Sequence, residues 1–390
     1  MQHRIIVLGA GYAGAIAAGR LAKRLRPADA AITLVNAEPD FVERVRNHQL
    51  ATGQRLKPRP LASMFAATGV SVRIATVTAI DPVAKTVALS DGSLSYDTLV
   101  YALGSGWNPQ GVPGTTEHAY ELASRAGALR LRERLADLGP GGTVTVVGAG
   151  LTGVEAATEL AEARPDLDVT LTARGELGDW LSPKGRAHLH RVANRLGITV
   201  HENATVTRVA PDAVELADGR TIPAAVTVWT TGFAVHPLAA ATTLETSPTG
   251  QIIVDGTMRS VSHPDVYAIG DAAQAPGAGG KPLRMACASG VPMAWQAADT
   301  IAARLTGGKL PHAPLRYYNQ CISLGRSDGL IQYVTADDRA VSAALTGRAA
   351  AVYKELVCKG AFWGVANPTL RLPVRRRPAT RQSEVRTLLP

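Results

Sequence analysis

The sequence predicts an α/β protein in which one plan, strand–glycine loop–helix–strand, occurs twice, with a small region appended at the C-terminal end. Three observations carry this. Arg4 to Ala10 (RIIVLGA) is a continuous apolar run, of the kind buried in a parallel sheet, and it leads into glycines and the alanine-rich helical stretch GYAGAIAAGRLAKRL. The same succession returns as GGTVTVVGAGLTGVEAATELAEA, with Gly148 standing 139 residues after Gly9. Each copy is followed by a further core strand, AITLVN from Ala31 to Asn36 in the first and DVTLTAR in the second.

The rest of the chain fills in around these units. Val70 to Leu99 holds short alternating segments, VSVRIATVTAI and KTVALSDGSLSY, separated by Asp-Pro and Asp-Gly turns, which predict an antiparallel excursion. Asp97 to Leu103 (DTLVYAL) returns as a core strand ending at Gly104. In the second copy a helix is expected around Lys184 to Leu196, then the short segments of ITVHENATVTRVAPDAVELADGRTI, then VTVWTTG. DVYAIGDAA, a helix over MAWQAADTIAARL and a stretch from Arg316 with weak strand signals follow. The last twenty residues are rich in proline and arginine and are expected to be flexible. The expected organisation is a discontinuous domain (1–110 and 245–312), an inserted domain (111–244), and a C-terminal region (313–390) with a flexible basic tail.

Composition narrows the class. An apolar fraction of 46% over 390 residues suffices for packed cores, and charged residues at 19% with no low-complexity tract exclude a disordered chain. The formal charge of +9 points to nucleic acid, an anionic membrane surface, or phosphate-bearing ligands. Basic stripes interleaved with aromatics are missing, which argues against nucleic acid. Cys287, Cys321 and Cys358 are odd in number and form no CxxC, so neither a disulfide framework nor a structural zinc site is expected. His188 and His190 lie on a polar helix without further ligands, and no metal is expected there either. The first strand begins at Arg4, leaving no room for a signal peptide, and the apolar stretch up to Arg20 is too short to span a bilayer. The expected setting is a reducing cytoplasm.

Gly9, Gly11 and Gly14 form GxGxxG directly between strand and helix. The first glycine permits a tight turn, the second lets the backbone approach a pyrophosphate, and the third allows close helix–strand packing. The pyrophosphate then meets a helix N-terminus, where unpaired N–H groups and the dipole favour negative charge. Gly148, Gly150 and Gly153 repeat the motif, so two Rossmann-type dinucleotide-binding domains are expected, one inserted in the other. The first unit's second strand ends at Asn36, which can donate and accept hydrogen bonds to a ribose although a carboxylate is more usual there. The second unit ends at Ala173-Arg174, where an arginine would attract a 2′-phosphate, favouring NADPH over NADH, or would simply be a solvated surface residue.

With these motifs in place, the chain resembles the pyridine nucleotide-dependent flavin oxidoreductases of the glutathione-reductase superfamily. It is most similar to the branch of type II NADH dehydrogenases and apoptosis-inducing-factor-like flavoproteins, up to about Leu305. The resemblance implies FAD at the first GxGxxG and NAD(P)H at the second. YDTLVYALGSGWNP, containing Gly104, resembles the family's first linker strand, with Leu103 where threonine is usual; VWTTGFAVHP, containing Gly232, resembles the second. DVYAIGDAA resembles the second FAD motif, which implies that Asp271 binds the ribityl or pyrophosphate region and Gly270 allows close approach. The CxxxxC pair of the disulfide reductases is absent from DFVERVRNHQLATG, which excludes dithiol relay. The glutamines expected along the quinone-lining helix are replaced in RMACASGVPMAWQAAD by Cys287, Val291 and Pro292.

The resemblance implies a place beside the nicotinamide for Glu155, whose alternative is a helix-terminal carboxylate stabilised by the dipole. It places His48 by the flavin, to move protons or to make a structural polar contact. Arg44 and Arg46 either contact cofactor phosphate or are solvated, and Cys287 is either catalytic at the flavin or plain packing. The expected function is an oxidoreductase passing hydride from NAD(P)H to FAD, then electrons to a quinone or other small-molecule acceptor. Two alternatives are a flavin oxidase or dehydrogenase with a vestigial nicotinamide site, and a nucleotide-sensing flavin-binding interaction protein. A monomer or homodimer is expected. Membrane association is expected to be weak and salt-sensitive at most, through Arg371, Arg375, Arg376, Arg377, Arg381 and Arg386 of the tail, which lacks an apolar face.

Overall fold

The computed structural model describes residues 2–311, 314–372 and 375–380. The two units predicted from the repeat are two five-stranded parallel sheets of matching order. In the first, His3–Leu8 is central, with Ala30–Asn36 and Val70–Ile74 on one side and Thr98–Tyr101 and Val266–Ala268 on the other. In the second, Thr143–Val147 is central, with Asp168–Thr172 and Thr199–His201 on one side and Val226–Trp229 and Ala119–Tyr120 on the other. The correspondence holds residue by residue. Ile5 pairs with Ile32 and Thr98, and its counterpart Val144 with Val169 and Val226. Both central strands are buried on both faces, which is why they read as unbroken apolar runs rather than alternating ones.

The helices in chain order are α1 (Tyr12–Arg24), α2 (Asn47–Ala51), α3 (Leu61–Phe65), α4 (Thr115–His118), α5 (Arg125–Ala136), α6 (Leu151–Ala163), α7 (Pro183–Arg195), α8 (Cys287–Thr306) and α9 (Arg348–Ala366). α1 and α6 follow the two glycine loops. The chain passes between the sheets at Ser105–Trp107 and Phe233–Val235, and these two strands pair antiparallel, tying the two crossings together.

The structure corrects three expectations. The antiparallel excursion begins at Val77, because Val70–Ile74 joins the first parallel sheet beside Ala30–Asn36. The C-terminal region is more than weak strands. Asn319–Ser323, Gly329–Val334 and Ala340–Thr346 form an antiparallel sheet followed by the nineteen-residue α9. The basic tail is docked rather than loose as far as it is described. Arg377 donates its N–H to the Arg24 carbonyl, Arg376 its Nε to Ala22 O, and Thr380 its N–H to Leu305 O, laying the segment along the end of α1. The rest of the tail, including Arg381 and Arg386, lies outside the described residues.

Candidate active site

Both glycine loops are built alike. Gly9 (φ +93°) and Gly148 (φ +103°) hold a conformation that favours glycine, and a Cβ on Gly9 would collide with the Ala102 carbonyl oxygen. A Cβ on Gly14 or Gly153 would overlap the carbonyl oxygen of Gly9 or Gly148, so each helix lies hard against its own loop. Gly11 and Gly150 differ from the others, since a Cβ on either would meet nothing within 4 Å. These two face open space, where the motif requires room for a pyrophosphate.

Helix capping points the same way. α5 and α7 are capped by Ser124 and Ser182, whose hydroxyls accept from the N–H of Gly127 and Gly185. α1 and α6 begin at Gly11 and Gly150 with neither a capping side chain nor a carboxylate in the first turn. The N-termini of α1 and α6, like those of α8 and α9, are thus left with free donors and an unbalanced positive dipole end. Those of α1 and α6 open into one cleft of about 480 Å³ that runs from Gly11 to Gly150. Its walls carry buried polar atoms with no partner among the described residues: Tyr12 Oη, Asn47 Oδ1, His48 Nε2 and Thr231 Oγ1. Orphaned groups in a cleft with two uncapped helices suit a large polar ligand such as a dinucleotide.

Asp271 and Gly270 line the cleft, with Gly270 at φ +68°. Ser105 donates its hydroxyl to Asp271 Oδ2 at 2.6 Å, and the Arg44 guanidinium lies 3.6 Å from the same oxygen while stacking on Phe233. Gly104 and Gly232, at the two strand ends, complete this wall. Asn36 sits beside the first loop, but both arms of its amide are engaged within the protein. Its Oδ1 accepts from Ala10 N–H and its Nδ2 donates to Glu38 O, each at 2.8 Å.

At the junction of the two sheets with α9 lies a charged cluster. Lys354 Nζ is 2.8 Å from Glu155 Oε1 and donates to Cys321 O, and Ser323 N–H also donates to Glu155 Oε1 at 2.9 Å. Glu155 therefore faces α9 rather than serving the helix dipole. Burial pushes the Glu155 carboxyl up, but the Lys354 ammonium, His48 and the two hydrogen bonds together hold it below the usual carboxylate range. Burial opposes the Lys354 charge too, and the Glu155 carboxylate outweighs it, so the ammonium is held more firmly than in an ordinary lysine. His48, on the buried face of α2, is held below the ordinary imidazole value by burial, against the pull of Glu155 and Glu159. Glu155, His48 and Lys354 all line the same cleft.

Two candidate residues are corrected. Arg46 does not face the cleft. Its guanidinium makes a two-pronged ion pair with Glu355 at 2.9 and 3.0 Å and reaches Glu43 and Gln49, because α9 folds back to supply a carboxylate from far along the chain. Arg44 occupies the cleft-facing position instead. Cys287 does line the cleft, as the first residue of α8, and is reachable from it although walled by protein. That enclosure and the nearby Asp271 charge push its thiol up to about 11, which favours the neutral thiol over a reactive thiolate.

Arg174 is exposed at the end of the second unit's second strand and makes no hydrogen bond or ion pair with the described residues. Lys354 was missed by sequence reasoning, and a signal existed. It shares a buried stripe of α9 with Ala350 and Cys358, four residues away on either side, where a lone lysine is out of place.

A family model described as pyridine nucleotide-disulphide oxidoreductase matches residues 3–302. The chain belongs to this family. Membership makes it an oxidoreductase and implies FAD and a nicotinamide nucleotide as its cofactors. An NADH dehydrogenase-like protein of Mycobacterium tuberculosis is 31% identical over 349 residues, covering 83% of this chain and 86% of that one. The demethylphylloquinone reductase of Synechocystis is 27% identical over 354 residues, covering 85% and 86%. The structure of NDH2 from Plasmodium falciparum in complex with NADH superposes with a TM-score of 0.79 at 15% identity, covering 95% of this chain and 99% of that one; this shows the fold.

Proposed function

We propose that this pyridine nucleotide-disulphide oxidoreductase takes hydride from NAD(P)H onto FAD and delivers the electrons to a quinone or quinone-like small molecule. The observation that carries this is the single cleft into which the uncapped α1 and α6 both open, with the half-buried Glu155–Lys354 pair and His48 in its wall. FAD, when bound, supplies the hydride and electron chemistry. The chain's part is to hold and orient. The Gly9–Gly14 loop, with Gly270, Asp271, Ser105 and Arg44, suits the flavin dinucleotide, and the Gly148–Gly153 loop with Thr231 and Gly232 suits the nicotinamide one. Lys354 holds a proton in a buried setting, while His48 is neutral at physiological pH and can accept one, so the pair can manage proton supply as the acceptor is reduced.

A quinone is favoured as acceptor by three things. The Synechocystis relative is named for a quinone substrate. No dithiol pair stands by the flavin segment that would pass electrons to a disulfide. An apolar stripe, Val352, Leu356 and Trp363, runs exposed along α9 and continues into Leu370 and Leu372, at 40 to 65% exposure. The sequence offered no apolar face in the tail; the structure has one in the element before it, rimmed by Arg371. Such a stripe suits peripheral contact with a lipid surface, where long-tailed quinones dissolve. Among the described residues no helix is long and apolar enough to cross a membrane.

The second glycine loop keeps the geometry of the first, with Gly150 facing open space and α6 uncapped, which speaks against a vestigial nicotinamide site. Arg174, unengaged at the strand end, supports NADPH as the preferred donor. The deciding experiment is anaerobic: the purified protein is mixed with NADPH or NADH, flavin bleaching is followed by absorbance, and naphthoquinone is then added. Bleaching followed by stoichiometric reoxidation is expected. A flavin that neither nucleotide bleaches would overturn the proposal.

A further inference from the structure

We infer that Arg326, in the turn between Asn319–Ser323 and Gly329–Val334, is a positioning residue that controls the charge of the His48–Glu155–Lys354 cluster by neutralising the buried carboxylate of Glu159. The inference rests on the proton role proposed above for that cluster.

Helix α6 presents three glutamates at helical spacing, Glu155, Glu159 and Glu162, and all three receive the same turn. Ser323 N–H donates to Glu155 at 2.9 Å, and Arg326 Nε donates to Glu159 Oε1 at 2.9 Å. Glu162 accepts from Arg326 N–H and from Ser327 Oγ. A Cβ at Gly325 (φ +79°) would collide with Glu162, so the turn is fitted closely to this face. α6 is also the helix that begins at the second glycine loop. One rigid element therefore joins a nucleotide loop to the cluster and to the C-terminal sheet.

Glu159 is the unusual member. It is only 1% exposed, its Oε2 has no partner among the described residues, and its other oxygen receives Thr52 Oγ1, Gln54 Nε2 and Arg326 Nε. A carboxylate so buried and only one helical turn from Glu155 needs a counter-charge, and Arg326 is the cation that reaches it. The groups facing His48 are Glu155 and Glu159 from α6, Lys354 from α9, and Arg46 from its own segment. Arg46 is itself balanced by Glu355 of α9 and Glu43. Lys354 and Arg46 are thus already paired, and the charge on His48's surroundings depends on whether Glu159 is compensated.

Without Arg326, the buried Glu159 carboxylate is left without its counter-charge beside Glu155 and His48. That uncompensated negative charge moves the titration of His48 to higher pH. The test uses the flavin-loaded protein with ring-carbon-13-labelled histidine, the His48 signal being assigned with His48→Asn. Arg326→Ala should raise the His48 midpoint by roughly one pH unit, and the acid limb of acceptor-linked turnover should rise with it. Arg326→Lys should return the midpoint most of the way to its original value. Adding Glu159→Gln to Arg326→Ala should cancel it, because the pair is then absent from both sides. If Arg326→Ala does not fold, Glu159→Gln alone must move the His48 midpoint down, since Arg326 is then unopposed. An unchanged midpoint in either single variant, or a shift that Glu159→Gln fails to cancel, overturns the inference. Loss of the proton role would instead appear as a Glu155→Gln protein that turns over normally while the His48 midpoint still follows Arg326.

Discussion

The two glycine loops share a backbone and differ in their surroundings. The first is enclosed. Asn36 ties down Ala10 N–H, Asp271 with Ser105 and Arg44 closes the far side, and Gly290 of α8 packs near Gly270 and Ala13. The second has the same three glycines and the same uncapped helix, but its second strand runs out to an exposed Arg174 with no partner described. One plan therefore yields, under the proposed assignment, a holder that keeps its dinucleotide and a dock that exchanges one.

The largest effect expected is at the second glycine of each loop. Gly11→Val should leave the protein colourless on purification, because the side chain would fill the space required by a pyrophosphate. Gly150→Val should stay yellow but lose bleaching by NADH and NADPH. If Gly11→Val keeps its flavin, or if both variants behave alike, the contrast between holder and dock collapses.

Next in size is the ion pair at the seam. Lys354→Met leaves Glu155 buried without its cation, at a cost of about 3–5 kcal/mol, seen as a lower denaturation midpoint. Turnover with naphthoquinone should fall by about 10²–10⁴-fold, while bleaching by the nucleotide is largely kept. Equal losses in both half-reactions would assign the pair to the nucleotide side instead.

The pH profile sharpens the point further. His48 lies below the ordinary imidazole value, so its ring is neutral at physiological pH and takes a proton only on further acidification. The acid limb of acceptor turnover should therefore lie below about pH 6.5, and His48→Asn should remove it. A limb above that value that survives the substitution would clear His48 of any proton role.

Arg174→Ala addresses the open dock. It should raise the apparent constant for NADPH on the order of tenfold, from the loss of a charged hydrogen bond of about 1.5–3 kcal/mol in an exposed setting. NADH should be nearly untouched. Equal harm to both nucleotides would make Arg174 an ordinary surface residue. The smallest effect is on α9, where Leu356→Asp should weaken co-sedimentation with anionic vesicles at high salt, and Arg371→Ala should weaken it only at low salt.

The parallel sheets and glycine loops were legible because they are local: GxGxxG between a buried strand and an alanine-rich helix follows from spacing alone. Asp271 was legible through its motif. What stayed hidden was long-range. Arg46 reads equally as a phosphate ligand or a solvated residue until Glu355, 309 residues away, is seen to hold it. Lys354 belongs to a helix whose own sequence is only weakly patterned, and its partner Glu155 comes from α6, far earlier in the chain. Arg326 has no sequence signature, since its meaning depends on a carboxylate 167 residues earlier.

The matched family region ends at residue 302, and Lys354 lies beyond it on α9. The cation opposite Glu155 is thus carried by a segment outside the part that defines the family. Both dinucleotide loops, Asp271 and Glu155 lie within that common part, while the C-terminal sheet and α9 bring Lys354, Arg326 and the apolar stripe. The charged cluster is in this sense composite: its carboxylate comes from the common part of the chain and its cation from the segment that follows.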